Sequence, residues 1–185
     1  MTKIILSLAC LVMTPLLIAG CGSSTAANPL DGGTHSGSLC TVTLTGGVAS
    51  THSCALSFAY DGTLTATDFS LTTTHIDPAT VPNLTASIQI AGAPATGPVQ
   101  STDPSVLQGY LAVSAQNATD AWSADAESTN TAATGSFTLT ITALGTAISA
   151  GGSSYYTNTH GSLDATLVPV TSGQTSPDIV AHAEF

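Results

Sequence analysis

The run His160-Gly161-Ser162-Leu163-Asp164 carries the three side-chain types of a serine hydrolase within five residues. A working triad needs the histidine hydrogen-bonded to the nucleophile and a third group orienting that base. On a strand, positions 160, 162 and 164 project from one face as a row, which is the wrong shape. The chain also lacks a G-x-S-x-G nucleophile elbow. The plainer expectation is solvent-facing strand polarity, so no catalytic residue is assigned.

A second group lies in "TDAWSADAEST", where Asp120, Asp125 and Glu127 gather around Trp122. Carboxylates with no cation beside them could hold Ca²⁺, a hard ion that takes oxygen ligands. Their spacing matches no EF-hand, and a solvated acidic loop is the plainer reading of these metal candidates. Trp122 could offer a platform for stacking a sugar, although a lone tryptophan in a β-domain more commonly anchors a core. The five histidines, at 35, 52, 75, 160 and 182, form no H-x-H or H-E-x-x-H pattern. His52 and His182 fall on outward strand phases. Paired glycosidase carboxylates are a spatial matter that spacing does not reveal, and an aromatic content of 5% argues against a long sugar cleft. No cofactor is expected.

Charge narrows the field further. The chain carries eleven acids against one basic residue, Lys3, for a net charge of −10. Charged residues make up 6% of the whole, against about 25% in ordinary globular proteins. Nucleic-acid affinity comes mainly from Lys and Arg contacts to phosphate, so nucleic acid is not an expected partner. A P-loop fails for want of its lysine. Beyond Lys3, no salt bridge to Lys or Arg can form at all.

The elements that must carry these residues begin with a leader. "MTK" is a short positive start, "IILSLACLVMTPLLIA" is apolar, and Gly20-Cys21 follows. That is the layout of a secretory signal. Ile18-Ala19-Gly20-Cys21 resembles the lipobox of bacterial lipoproteins. The resemblance covers only the start of the chain and implies lipid attachment at Cys21, with cleavage before it. Cys10 is a poorer acceptor because Ser7 stands where that box takes an aliphatic residue. An aspartate after the cysteine would signal inner-membrane retention in enteric bacteria. Gly22 stands there, which points to the outer membrane of a Gram-negative envelope. The expected organisation is a signal peptide over 1–20, a flexible tether over 21–38 and a folded domain over 39–185. The tether is rich in Gly and Ser and cannot bury enough surface to fold.

From Leu39 onward, alternation with period 2 predicts strands. In "LCTVTLT", Cys40, Val42 and Leu44 point one way and the threonines the other. Further strands are expected at 52–60, 63–74, 84–92, 106–116, 135–144, 162–170 and 178–185. The third has Leu64 and Ala66 inward and changes phase to Phe69 and Leu71, which suggests a bulge near Thr67-Asp68. Asp61-Gly62 and Gly46-Gly47 are hairpin signals, and Gly151-Gly152 marks a loop. Nothing reads as a long helix, and residues 119–134 are the only segment with room for a short one. About eight strands with short connections predict an all-β, antiparallel β-sandwich, Ig-like or jelly-roll-like, although strand count alone does not separate a sandwich from a barrel. A hairpin pivoting on Gly47 sets Cys40 opposite Cys54, and an exported chain can join them in a disulfide.

These observations favour a non-enzymatic envelope module held to a membrane through lipid, binding a protein or glycan or contributing structure. Two other classes stand beside it: an exported hydrolase assembled from distant residues, and a Ca²⁺- or glycan-binding adhesin.

Overall fold

In Thr41–Gly46 every second side chain is apolar, and Val42 and Leu44 are wholly buried while Thr41, Thr43 and Thr45 face outward. Threonine suits the exposed side because its branched carbon fits the pleat. The computed structural model describes residues 40–73, 83–114, 120–127, 135–170 and 175–185. The leader, the tether, Cys21, His35 and His75 lie outside them. None of the described residues is helical.

The strands are β1 (Thr41–Gly46), β2 (Ser50–Asp61), β3 (Ala66–Thr73), β4 (Asn83–Ala91), β5 (Gly97–Gln100), β6 (Val106–Ser114), β7 (Ala121–Glu127), β8 (Ser136–Ala143), β9 (Thr146–Ala150), β10 (Ser153–Thr157), β11 (His160–Pro169) and β12 (Ile179–Glu184). Every pairing is antiparallel. Eight of the strands run in the order β1-β12-β11-β7-β6-β4-β3-β2, and β2 pairs back onto β1. The all-β expectation holds, but the sandwich gives way to a closed barrel of eight strands. Closure depends on two long strands that change partner along their length. β2 bonds β1 through Ser50–Ser53 and β3 from Cys54 onward. β11 bonds β12 over Ser162–Leu167 and reaches β7 at Val168 and Pro169. A sandwich would leave sheet edges at those two corners, and closure removes them. Off the ring, β8 pairs β11 and carries β5, while β10 pairs β2 and carries β9.

Several local expectations change. Residues 121–127 form a strand where a helix was possible, and Gly151-Gly152 links a real hairpin, β9 to β10. No bulge occurs near Thr67-Asp68; β3 keeps unbroken register with β2 and β4. The phase change has another cause: Leu64 lies 63% exposed in the turn, and Thr67 takes the inward place. The Thr67 hydroxyl donates to the Gly92 carbonyl at 2.9 Å, so its burial leaves no unmet donor. His52 is likewise corrected. It pairs with Val42 and shares the inner phase of Leu56, half-buried.

The core is a run of aromatic and aliphatic side chains, each worth about 1.5–3 kcal/mol when fully buried. Phe58 and Phe69 meet edge to face with centroids 6.4 Å apart, and Phe69 packs on Phe185 at 5.5 Å. Outside, the same strands present mostly Thr, Ser and Gln, with Leu107, Tyr110 and Val180 as isolated exposed apolar side chains. This is the reverse of a membrane-spanning barrel, whose exterior carries an apolar band. Cys40 and Cys54 are joined in the expected disulfide with Cα atoms 5.0 Å apart, and the Cys54 N–H also donates to the Cys40 carbonyl at 2.9 Å.

Candidate functional site

The register of six neighbouring strands lines up polar side chains on one outer face. Thr51 of β2 stands beside Thr43 of β1, which faces His182 of β12. His182 faces Asp164 of β11, which faces Thr138 of β8 and then Gln100 of β5. In the next row, Ser53, Thr41, Glu184, Ser162, Thr140 and Pro98 follow the same order. Each side chain faces out because its neighbours in sequence, such as Leu163, Ala165, Ala181 and Ala183, fill the core.

At the centre, His182 Nδ1 lies 2.6 Å from Asp164 Oδ1 and Nε2 lies 3.4 Å from Glu184 Oε1. The hydrogen bond to Asp164 is the main reason that the His182 pKa is raised above 6.5. Partial burial works against it, and Glu184 adds to the rise. In a chain without Lys or Arg beyond Lys3, this imidazole is the cation that the two carboxylates share when it is protonated.

The same geometry bears on the serine-hydrolase types. His160, Ser162 and Asp164 alternate along β11 on its outer side, and the register with β8 slips between His160 and Gly161. Asp164 turns to His182, eighteen residues further along the chain, and Ser162 stands across from Glu184. A triad histidine gives one nitrogen to a carboxylate and the other to the nucleophile. Both His182 nitrogens face carboxylates instead.

The acidic candidates in and just before β7 are held separately. Asp120 accepts from the Ser176 hydroxyl at 2.8 Å, and Asp125 from that of Ser123 at 3.1 Å. Glu127 ends the strand opposite Gln108. Among the described residues, no group of three or more His, Cys, Asp or Glu could hold a metal ion. The His182 trio is no exception, because the imidazole lies between the carboxylates and the donors do not converge on one point. Trp122 is 2% exposed, points into the barrel and donates from Nε1 to the Pro177 carbonyl at 3.0 Å. That is an anchor, since a buried ring has no free face for a sugar.

Beside Asp164 the face dips into a shallow groove of about 200 Å³, walled by Ser136, Thr138, Thr166 and Val180. The spacing of the sequence motifs did not reveal the His182–Asp164 pair, which exists only through the β11–β12 register. The available signal was that both residues occupy polar positions within alternating strands. Comparison of the chain with protein-family models, curated proteins and solved structures finds no match.

Proposed function

We propose that this chain is a lipid-anchored β-barrel of a bacterial envelope, most simply of the outer membrane, and that its barrel binds rather than catalyses. What carries the reading is Ile18-Ala19-Gly20-Cys21 at the close of an apolar run with a positive start. The Cys40–Cys54 disulfide suits an oxidising compartment outside the cytosol. The outer face of β1, β12, β11 and β8, built of hydroxyls around one His–carboxylate cluster, suits a polar protein or glycan partner. Neutral hydroxyls supply donors and acceptors without the desolvation cost of unpaired charges. A hydrolytic role is disfavoured by the engagement of both His182 nitrogens with carboxylates.

Growth of a bacterial host with an alkyne-bearing fatty acid tests the anchor. The full chain is expected to take up the label, with a mature mass that begins at an acylated Cys21, and Cys21→Ser is expected to abolish it. A wild-type chain that stays unlabelled and full length in the envelope overturns the proposal.

A further inference from the structure

Between β4 and β6 the chain leaves the ring. Residues 92–96 cross to β8, where β5 pairs Thr138–Ile141, and residues 101–105 lead back to β6, itself a partner of β4. Beneath this excursion lies a cavity of about 260 Å³. Its walls include Phe58, Ile90 and Ile141, and its roof includes Pro94 and Val99. This is a little below the ~300 Å³ at which pockets for drug-sized ligands begin, so an occupant must be small.

None of the described residues lining the cavity carries an ionisable side chain. An anion entering it would leave water with no cation to meet it, in a protein of net charge −10. A cation would find no carboxylate there. The polar side chains among the lining residues are the hydroxyls of Thr67, Thr96 and Ser105. The Thr67 hydroxyl spends its proton on the Gly92 carbonyl and keeps its lone pairs to accept.

The roof is pinned at both ends. Gly92 N–H donates to the Thr65 carbonyl at 2.7 Å, Ala91 N–H to that of Ser105 at 2.7 Å, and Ser101 N–H to that of Phe137 at 2.9 Å. Gly92 and Gly97, with φ of +91° and +124°, bracket the crossing. A Cβ at either would meet nothing within 4 Å, so glycine is there for the backbone conformation and not for want of space. Two such bends hold Ala93–Thr96 arched over the cavity instead of collapsing into it. A space kept open before any ligand arrives lowers the ordering cost of binding.

We propose that this cavity binds a small, neutral, mainly aliphatic molecule, with room for a single hydroxyl near Thr67 and Ser105. The site goes beyond the envelope reading and does not depend on acylation of Cys21.

A diazirine-bearing octanol analogue, photolysed with the purified full chain and mapped by mass spectrometry after chymotrypsin, tests it. The label is expected on peptides covering Ile90–Val99. Excess 1-octanol is expected to suppress it at least tenfold more effectively than octanoate does. Val99→Trp, which fills the cavity, should lower that labelling about fivefold or more, and Ile148→Ser on β9 should leave it unchanged. If Val99→Trp loses its thermal transition, the octanol and octanoate competition on the native chain decides. Label spread over exposed apolar positions such as Ile148 and Val180, or octanoate competing as well as octanol, overturns the proposal.

Discussion

The two broad outer faces of the barrel solve one problem in different ways. On the face formed by β2, β3, β4, β6 and β7, carboxylates rest on neutral donors. Asp68 accepts from Gln89 Nε2 at 2.9 Å, and Asp125 from Ser123. On the face formed by β1, β12, β11 and β8, Asp164 and Glu184 share an imidazole. Loops follow the first solution: Asp61 accepts from the N–H groups of Thr63 and Leu64, and Asp103 from that of Gln100. A chain with no Lys or Arg past residue 3 must hold its acids this way. The consequence is that one face rests its carboxylates on an imidazole whose pKa is raised above 6.5, while the Gln89 amide and the Ser123 hydroxyl on the other carry no titrating proton in that range.

The two faces meet at Cys54, where β2 stops pairing with β1 and begins pairing with β3. The disulfide to Cys40 clamps that corner across a sequence separation of 14. Removing it with Cys54→Ala is expected to cost about 3 kcal/mol on the chain-entropy account. It should also open the barrel first at the β1–β2 seam. Thermal melts measure the loss, and amide exchange locates it. Faster exchange spread evenly over all strands would mean that the corner is not the weak point.

How much of this contrast was readable beforehand depends on whether a feature is local or set by register. The Cys40–Cys54 pair was readable because a turn at Gly47 fixes which residues face each other across a short hairpin. The alternation of Val42, Leu44, Leu163 and Leu167 announces core strands without any knowledge of neighbours. Register between β11 and β12 belongs to the whole barrel, and so the His182–Asp164 pair did not show. His52 shares the period-2 phase of Cys54 and Leu56, so an outward phase is wrong for it, and pairing with Val42 turns it in. Closure was hidden for the same reason, since β2 and β11 look like ordinary long strands until their partners are known. β5 is not legible in the sequence because Gly97-Pro98-Val99-Gln100 is four residues with a proline, acceptable only at a sheet edge.

The neutral face gives the next effect in size. Gln89→Ala removes the donor to Asp68 on a half-buried surface, at an expected cost of about 1 kcal/mol. Because an amide neither gains nor loses a proton between pH 6 and 8, the cost should be the same at both ends of that range. Denaturant unfolding of wild type and variant at the two pH values measures it. A cost that doubles or vanishes across the range would mean that this face also has a titrating partner.

The smallest effect, and the one that best separates the faces, belongs to His182. Its folded pKa lies above the 6.5 of the free side chain, chiefly through Asp164. The charged form is therefore favoured by folding. Its contribution is complete below about pH 6.5 and is lost as pH rises through the raised folded value. The side chains of His182 and Asp164 are 46% and 57% exposed, so solvent and salt screen the pair. An exposed ion pair is worth about 0.2–1 kcal/mol, which for a chain of this length corresponds to roughly 1–3 °C in melting temperature. Wild type is expected to melt higher at pH 6 than at pH 8. His182→Gln, which keeps a donor toward Asp164 but cannot titrate, should flatten that slope. Raising salt should shrink the wild-type slope and leave the cost of Gln89→Ala nearly untouched, because only the first pairs two net charges. If His182→Gln and wild type lose stability in parallel from pH 6 to 8, the proton switch does not reside on this face.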